Sequence, residues 1–178
     1  MRITGGTLCG RKIAVPDGVI RPAMDSMRES VFAKLGDLTG LSFLDMFSGS
    51  GVVALEAASR GACPIEAVER DPLKRKTLLQ NTDLSPVRIV CRFMSAELYI
   101  RRYRQTFDII FCDPPFPYKF KRELVGTIAA SPLMKTGSRL LLHRPREETA
   151  DLMNIENLVL GESKRYGRST VDFFVKER

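Results

Sequence analysis

From residue 41 onward, short apolar runs alternate with amphipathic stretches. The runs are "LSFLDMF" (41–47), "IEAVE" (65–69), "VRIVC" (87–91), "FDIIFCD" (107–113) and "SRLLLHR" (138–144). Each has strand length and is rich in branched or aromatic residues. Between them, "GVVALEAASRG", "DPLKRKTLLQNT", "SAELYIRRY" and "KRELVGTIAAS" read as helices, with Pro72 near the first turn of the second. "REETADLM" (146–153) reads as a weaker helix, and the last residues as two strands about a turn near Tyr166-Gly167. Repeated βα units predict an α/β fold: a mostly parallel, seven-stranded sheet with helices on both faces and an antiparallel C-terminal edge.

Ahead of these units, "MRITGG" and "GRKIAVP" flank "TLCG" and read as a β-hairpin. "RPAMDSMRESVFAKLGD" follows as a helix, with Asp25 or Ser26 as its cap and Met27, Val31 and Leu35 at four-residue spacing. This divides the chain into an appendage, residues 1–20, and a main domain, residues 21–178. No internal repeat interrupts that organisation.

Composition changes the picture in two respects. A chain of 178 residues with 44% hydrophobic and 28% charged residues suits one domain with a sizeable core. Its net charge of +7 favours a polyanionic partner, nucleic acid before membrane, although a basic soluble protein has the same balance. No run approaches the length of a membrane span and no secretory h-region opens the chain. Cys9, Cys63, Cys91 and Cys112 form no C-x-x-C pair, and there is one histidine. A zinc site is therefore disfavoured, and reduced, mostly buried thiols in a cytosolic protein are expected.

In such a sheet ligands bind beyond the carboxyl ends of the strands. After the first strand comes "DMFSGSG", with Gly49-x-Gly51-x-x-Ala54 opening a helix; Glu69 ends the second strand. Glycines there permit a tight turn and close approach of a ligand, and Glu69 can accept hydrogen bonds from ribose hydroxyls. Asp45 stands four residues before the turn. A carboxylate at that place suits a cationic nucleoside such as S-adenosylmethionine better than the pyrophosphate of NAD. The alternative is that Asp45 only caps the loop through backbone N–H groups.

After the fourth strand comes "DPPFPY" (113–118). Asp113 and the carbonyl of Pro114 are adjacent acceptors, matching the two N–H groups of a nucleobase amine. Phe116 offers a stacking face and the prolines preorganise the loop. Read alone, Asp-Pro-Pro is equally a turn.

Together "DMFSGSG", "AVERD" and "DPPF" resemble the motifs of the Rossmann-like class I S-adenosylmethionine-dependent methyltransferases. "ITGGTLCGRKIAVP", "RPAMDSMRESVFAKL" and "YGRSTVDFF" narrow the resemblance to the RsmD-type bacterial 16S ribosomal RNA guanine-N2 methyltransferases. The resemblance spans nearly the whole chain. It implies S-adenosylmethionine as cofactor, held by Asp45, Ser48, Gly49, Gly51, Glu69, Arg70, Ser95 and Ala96. Asp113, Pro114, Pro115 and Phe116 would hold the target guanine. RNA contacts would come from Gly10, Arg11 and Lys12 of the hairpin and from Arg21 and Arg28; independently of the resemblance, the basic run Lys119, Lys121 and Arg122 flanks the proposed pocket and is placed to contact phosphate, with Tyr118 and Phe120 able to stack on bases. Asp25 and Glu29 would border the site. The implied partner is 16S rRNA within a 30S particle or assembly intermediate, met by a cytoplasmic monomer without metal or covalent enzyme intermediate.

Ser95 departs from the acidic residue or Asn often found there. His143-Arg144 stands where an acidic residue often follows the fifth strand; the pair reads as RNA-binding or, with no partner visible, sooner as an ordinary strand end. Arg101, Arg102 and Arg104 read equally as RNA contacts or a solvated face. Competing readings are a DNA adenine-N6 or other rRNA amino-methyltransferase, an inactive RNA-binding assembly factor, and an NAD-dependent oxidoreductase.

Overall fold

The computed structural model describes residues 1–15, 24–148 and 154–177. Seven strands form one sheet: β1 Phe43–Met46, β2 Ile65–Val68, β3 Ile89–Arg92, β4 Phe107–Cys112, β5 Met134–Pro145, β6 Leu158–Tyr166 and β7 Ser169–Lys176. Their spatial order is β3-β2-β1-β4-β5-β7-β6. The first five run parallel, and β7 pairs antiparallel with both β5 and β6. This is the mixed sheet that the alternating pattern predicts.

The helices are α1 Met24–Leu35, α2 Val52–Ser59, α3 Arg75–Thr82, α4 Ala96–Arg102 and α5 Lys121–Ala130. Side-chain alternation along each strand sorts the core into two layers. Phe43, Ile109, Phe111 and Leu141 pack with residues of α1, α2 and α3. Leu44, Met46, Ile110, Cys112, Leu140 and Leu142 pack with α4 and α5. The expected stripe of Met27, Val31 and Leu35 is buried.

Three sequence expectations change, and a fourth falls largely outside the described residues. Asp25 lies inside the first turn of α1 rather than capping it, where its carboxylate accepts from Arg28 at 2.8 Å. The segment 71–82 opens as a 3-10 turn, Pro72–Lys74, because the Asp71 carboxylate takes the Leu73 N–H. Cys9 and Cys63 are exposed, so only Cys112 of the four free thiols is fully buried, where burial raises its pKa. Of "REETADLM", residues 146–148 turn away from β5, and the remainder lies outside the described residues.

The N-terminal arm forms a single antiparallel bridge, Arg2 to Lys12, rather than two paired strands. A 3-10 turn at Gly6–Leu8 separates its sides. Its two sides still bond to each other as a hairpin, Ile3 N–H to the Arg11 carbonyl at 3.0 Å, Gly10 N–H to the Ile3 carbonyl at 2.9 Å and Ile13 N–H to the Met1 carbonyl at 3.2 Å, while other polar groups bond to α2. Ser59 Oγ takes the Leu8 N–H at 2.8 Å and donates to the Gly5 carbonyl at 2.6 Å. Glu56, fully buried in α2, accepts from the Thr4 N–H at 2.9 Å and from Arg28 Nε at 3.1 Å, and also pairs with Arg60. Arg28 in turn donates to the Arg2 carbonyl at 2.6 Å. Ile3 and Ile13 complete the anchorage by joining the α1–α3 core layer.

Removing Glu56 would leave Arg28 buried without its main partner. Glu56→Ala is expected to lower unfolding free energy by about 3–5 kcal/mol, a typical result of breaking a buried ion pair. Urea denaturation of the two proteins measures the difference.

Candidate active site

The carboxyl ends of β1, β2, β4 and β5 converge on one crevice. After β1 the chain turns sharply, with Phe47, Gly49 and Gly51 all at positive φ. The loop is held to β2 by Ser48 N–H to the Val68 carbonyl, 2.9 Å, and by Gly49 N–H to the Glu69 carboxylate, 2.8 Å. Glu69 also accepts from the Asp71 N–H at 2.8 Å. One carboxylate oxygen can accept more than one hydrogen bond, so both retain capacity for a ligand.

The two glycines have different tasks. A Cβ on Gly51 would meet Leu78 Cδ1 at 2.7 Å, so this glycine lets α2 and α3 pack. A Cβ on Gly49 would meet nothing nearer than the Phe47 carbonyl at 4.0 Å, so its face is open. Open space beside a bent backbone, bordered by Glu69, fits the approach of a nucleoside.

Asp45 is 1% exposed, and its Oδ2 accepts from Ser48 Oγ at 2.6 Å and from the Ala54 N–H at 3.1 Å. It therefore does organise the loop. Burial, with smaller repulsion from Asp113 and Glu69, pushes its pKa up to about 7 against hydrogen bonds that pull it down.

Beyond β4, the Asp113 N–H bonds to the Met46 carbonyl at 3.2 Å, continuing the β1–β4 pairing into the loop. Asp113 Oδ1 lies 2.8 Å from His143 Nδ1. The Phe116 ring meets the His143 ring edge-on at 5.9 Å. The Pro115 carbonyl accepts from the Tyr118 N–H at 2.8 Å, and the Phe116 carbonyl from Lys121 Nζ at 3.2 Å. Asp113 Oδ2 and the Pro114 carbonyl have no hydrogen-bond partner among the described residues. Tyr118 donates to Glu97 Oε1 at 2.8 Å and packs against Phe47, joining this loop to the first turn of α4.

Other expected site residues are placed as follows. Ser95 caps α4 by accepting the Leu98 N–H at 3.2 Å, and Ala96 is buried beside it. Arg70, Arg11, Lys12 and Lys119 are exposed. Arg21 lies outside the described residues. Lys121 does not face solvent: it is 0% exposed and donates to the carbonyls of Phe116 and Tyr118 and to Glu148. Its ammonium shapes the loop and is not available to RNA. Arg28 is likewise turned inward, onto Glu56. His143 is not an ordinary strand end. It shares a sheet face with Asp113 because Cys112 is in register with Leu142. That parity between neighbouring strands was the signal that would have found it.

A family model described as Conserved hypothetical protein 95 matches residues 1–175. The chain is 35% identical over 133 residues to ribosomal RNA small subunit methyltransferase D of Escherichia coli strain K12. That alignment covers 72% of this chain and 66% of the relative. The Haemophilus influenzae protein of the same name is 27% identical over 178 residues, covering 94% of this chain and 89% of the relative. The solved structure of yhhF from E. coli superposes with TM-score 0.89 at 27% identity, covering 99% of this chain and 98% of that one. A precorrin-6y C5,15-methyltransferase from Geobacter metallireducens shares the fold, with TM-score 0.75 at 14% identity over 94% of this chain and 95% of that one.

The fold is that of the class I methyltransferases. Within that class, the chain belongs to the Conserved hypothetical protein 95 family, the RsmD family whose motifs it carries.

Asp45 makes stability pH-dependent. Its pKa is raised from 3.8 to about 7 on folding, so the folded chain holds the proton more tightly. Stability from this group is complete at low pH and falls as pH rises through the folded value, by up to about 1.4 kcal/mol per pH unit. Asp45→Asn, measured by denaturation between pH 5 and 8, is expected to show a flatter profile.

Proposed function

We propose that this protein transfers the methyl group of S-adenosylmethionine to the exocyclic N2 amine of a guanine in 16S ribosomal RNA. The observation that carries the reading is the pair of unused acceptors, Asp113 Oδ2 and the Pro114 carbonyl, in a loop whose next two carbonyls are occupied. An amine has two N–H donors, and binding both leaves its nitrogen lone pair free to face the donor. Asp113 also stabilises the positive charge that develops on that nitrogen.

Bound S-adenosylmethionine supplies an activated methyl group on a positively charged sulfur. Burial chiefly raises the Asp45 pKa, with smaller contributions from the nearby Asp113 and Glu69 carboxylates, and a cation bound beside it would favour its ionised form. Gly49 gives the ligand backbone access, Glu69 accepts from its ribose, and Arg70, Ser95 and Ala96 border its base. Phe116 stacks on the guanine, which must leave its own stack to enter. Exposed Arg11, Lys12 and Lys119 contact phosphate, with Tyr118 beside the pocket. The N-terminal arm presents the first two of these and serves as the RNA-contacting appendage. The names of the E. coli and H. influenzae relatives support the small-subunit rRNA as substrate. The protein acts as a monomer on a 30S particle or its precursor in the cytoplasm.

The test uses tritiated S-adenosylmethionine with 30S particles from cells lacking the protein, beside matched DNA. Wild type is expected to place label in N2-methylguanosine, and Asp113→Ala to lower the rate by at least about 100-fold. Label in adenine or in DNA would overturn the substrate assignment. Cofactor binding without any transfer would favour an assembly role instead.

A further inference from the structure

We propose that His143 is a positioning residue for Asp113, acting through a proton on Nδ1. The inference deepens the amine-methylation reading and rests on it. His143 is 1% exposed, at the carboxyl end of β5. Its Nδ1 lies 2.8 Å from Asp113 Oδ1, and its buried Nε2 has no hydrogen-bond partner among the described residues.

These observations assign the proton. An ionised carboxylate only accepts, so the hydrogen in the 2.8 Å contact sits on Nδ1. A second proton on Nε2 would bury a cation with one donor unsatisfied, which is costlier than a bare lone pair. The ring is therefore the neutral Nδ1–H tautomer. Its orientation is fixed by Phe116, which meets it edge-on, and by the pairing of β5 with both β4 and β7.

The consequence falls on Asp113. Its side chain leaves the end of β4 with one oxygen held by His143 and the other open to the crevice. Without the Nδ1–H the carboxylate can turn about its side-chain torsions, and the amine it holds turns with it. Misplacing reacting atoms by about 1 Å can cost 100-fold in rate. Binding of S-adenosylmethionine does not depend on this bond.

Two side-chain amides separate this role from mere filling of space. Asn places an N–H near the position of Nδ1, whereas Gln reaches the position of Nε2. With 30S particles as substrate, His143→Asn is expected to keep kcat within about threefold of wild type. His143→Gln and His143→Leu are expected to lose about 10- to 100-fold in kcat, with KM for S-adenosylmethionine unchanged. Equal losses in Asn and Gln variants, or loss confined to KM, would overturn the proposal.

A second measurement needs no substrate. His143 is the chain's single histidine, so the nitrogen NMR spectrum of untagged, ¹⁵N-labelled protein reports on it alone. The expected spectrum at neutral pH has a protonated Nδ1 and an unprotonated Nε2, with the Nδ1 signal displaced in Asp113→Ala. A protonated Nε2 with bare Nδ1 would overturn the assignment whatever the enzyme methylates. If the tautomer is as expected and wild type labels no amine in any nucleic acid, it is the functional reading that fails.

Discussion

The parallel pairing of β1 with both β2 and β4 is the constraint on which the site depends. Met46 stands in register with Val68 on one side and with Cys112 on the other. The loops after all three strands therefore leave the sheet at one level. Ser48 and Asp113 extend those two ladders by one further bond each, to Val68 and Met46. Strand order also reverses direction between β1 and β4, which opens the crevice into which those loops project. A slip of one residue would send Asp45 or Asp113 to the opposite face. All four residues of β1 are buried, so packing on both faces resists such a slip.

Carboxylates are treated differently inside and outside the crevice. Glu56, fully buried, is matched by two guanidinium groups, those of Arg28 and Arg60. Asp45, equally deep, receives only a hydroxyl and one backbone N–H. Glu69 receives two backbone N–H groups, with Lys74 at 3.8 Å, and Asp113 receives His143. The first arrangement secures the arm to the body of the protein. The second leaves negative charge incompletely offset, at a cost in stability that a cationic ligand reduces. A buried carboxylate without a cation is thus itself an indication of where such a ligand belongs.

The strands, the glycine turn, Glu69 and Asp113 were legible in the sequence because each signal is local: an apolar run, then a loop of the required chemistry. What stayed hidden depends on register between distant segments. His143 acquires meaning only once Leu142 is known to stand beside Cys112. Lys121 follows the proline loop and reads as one of a basic run, yet the first turn of α5 curls its ammonium back onto the carbonyls of Phe116 and Tyr118. Arg28 looks like a surface charge on a helix until Glu56 of another helix is seen facing it. The N-terminal runs do bond to each other as a short hairpin, but its anchorage to α2 through Glu56 and Ser59 depends on residues some fifty positions away and was not visible in the arm itself.

These inward cations change what the net charge of +7 means. Arg28 and Lys121 serve buried carboxylates and carbonyls, and Arg144 holds the buried Asp172. Their charge contributes to the long-range field, but their donors are spent within the protein. The charges left at the surface include those of Arg11, Lys12, Arg70 and Lys119, which are exposed. Two of these lie on the anchored N-terminal arm and two on loops that leave the sheet at the crevice. In the reading proposed above, a polyanion drawn in by the whole field meets side chains whose backbone positions the fold sets relative to Asp113.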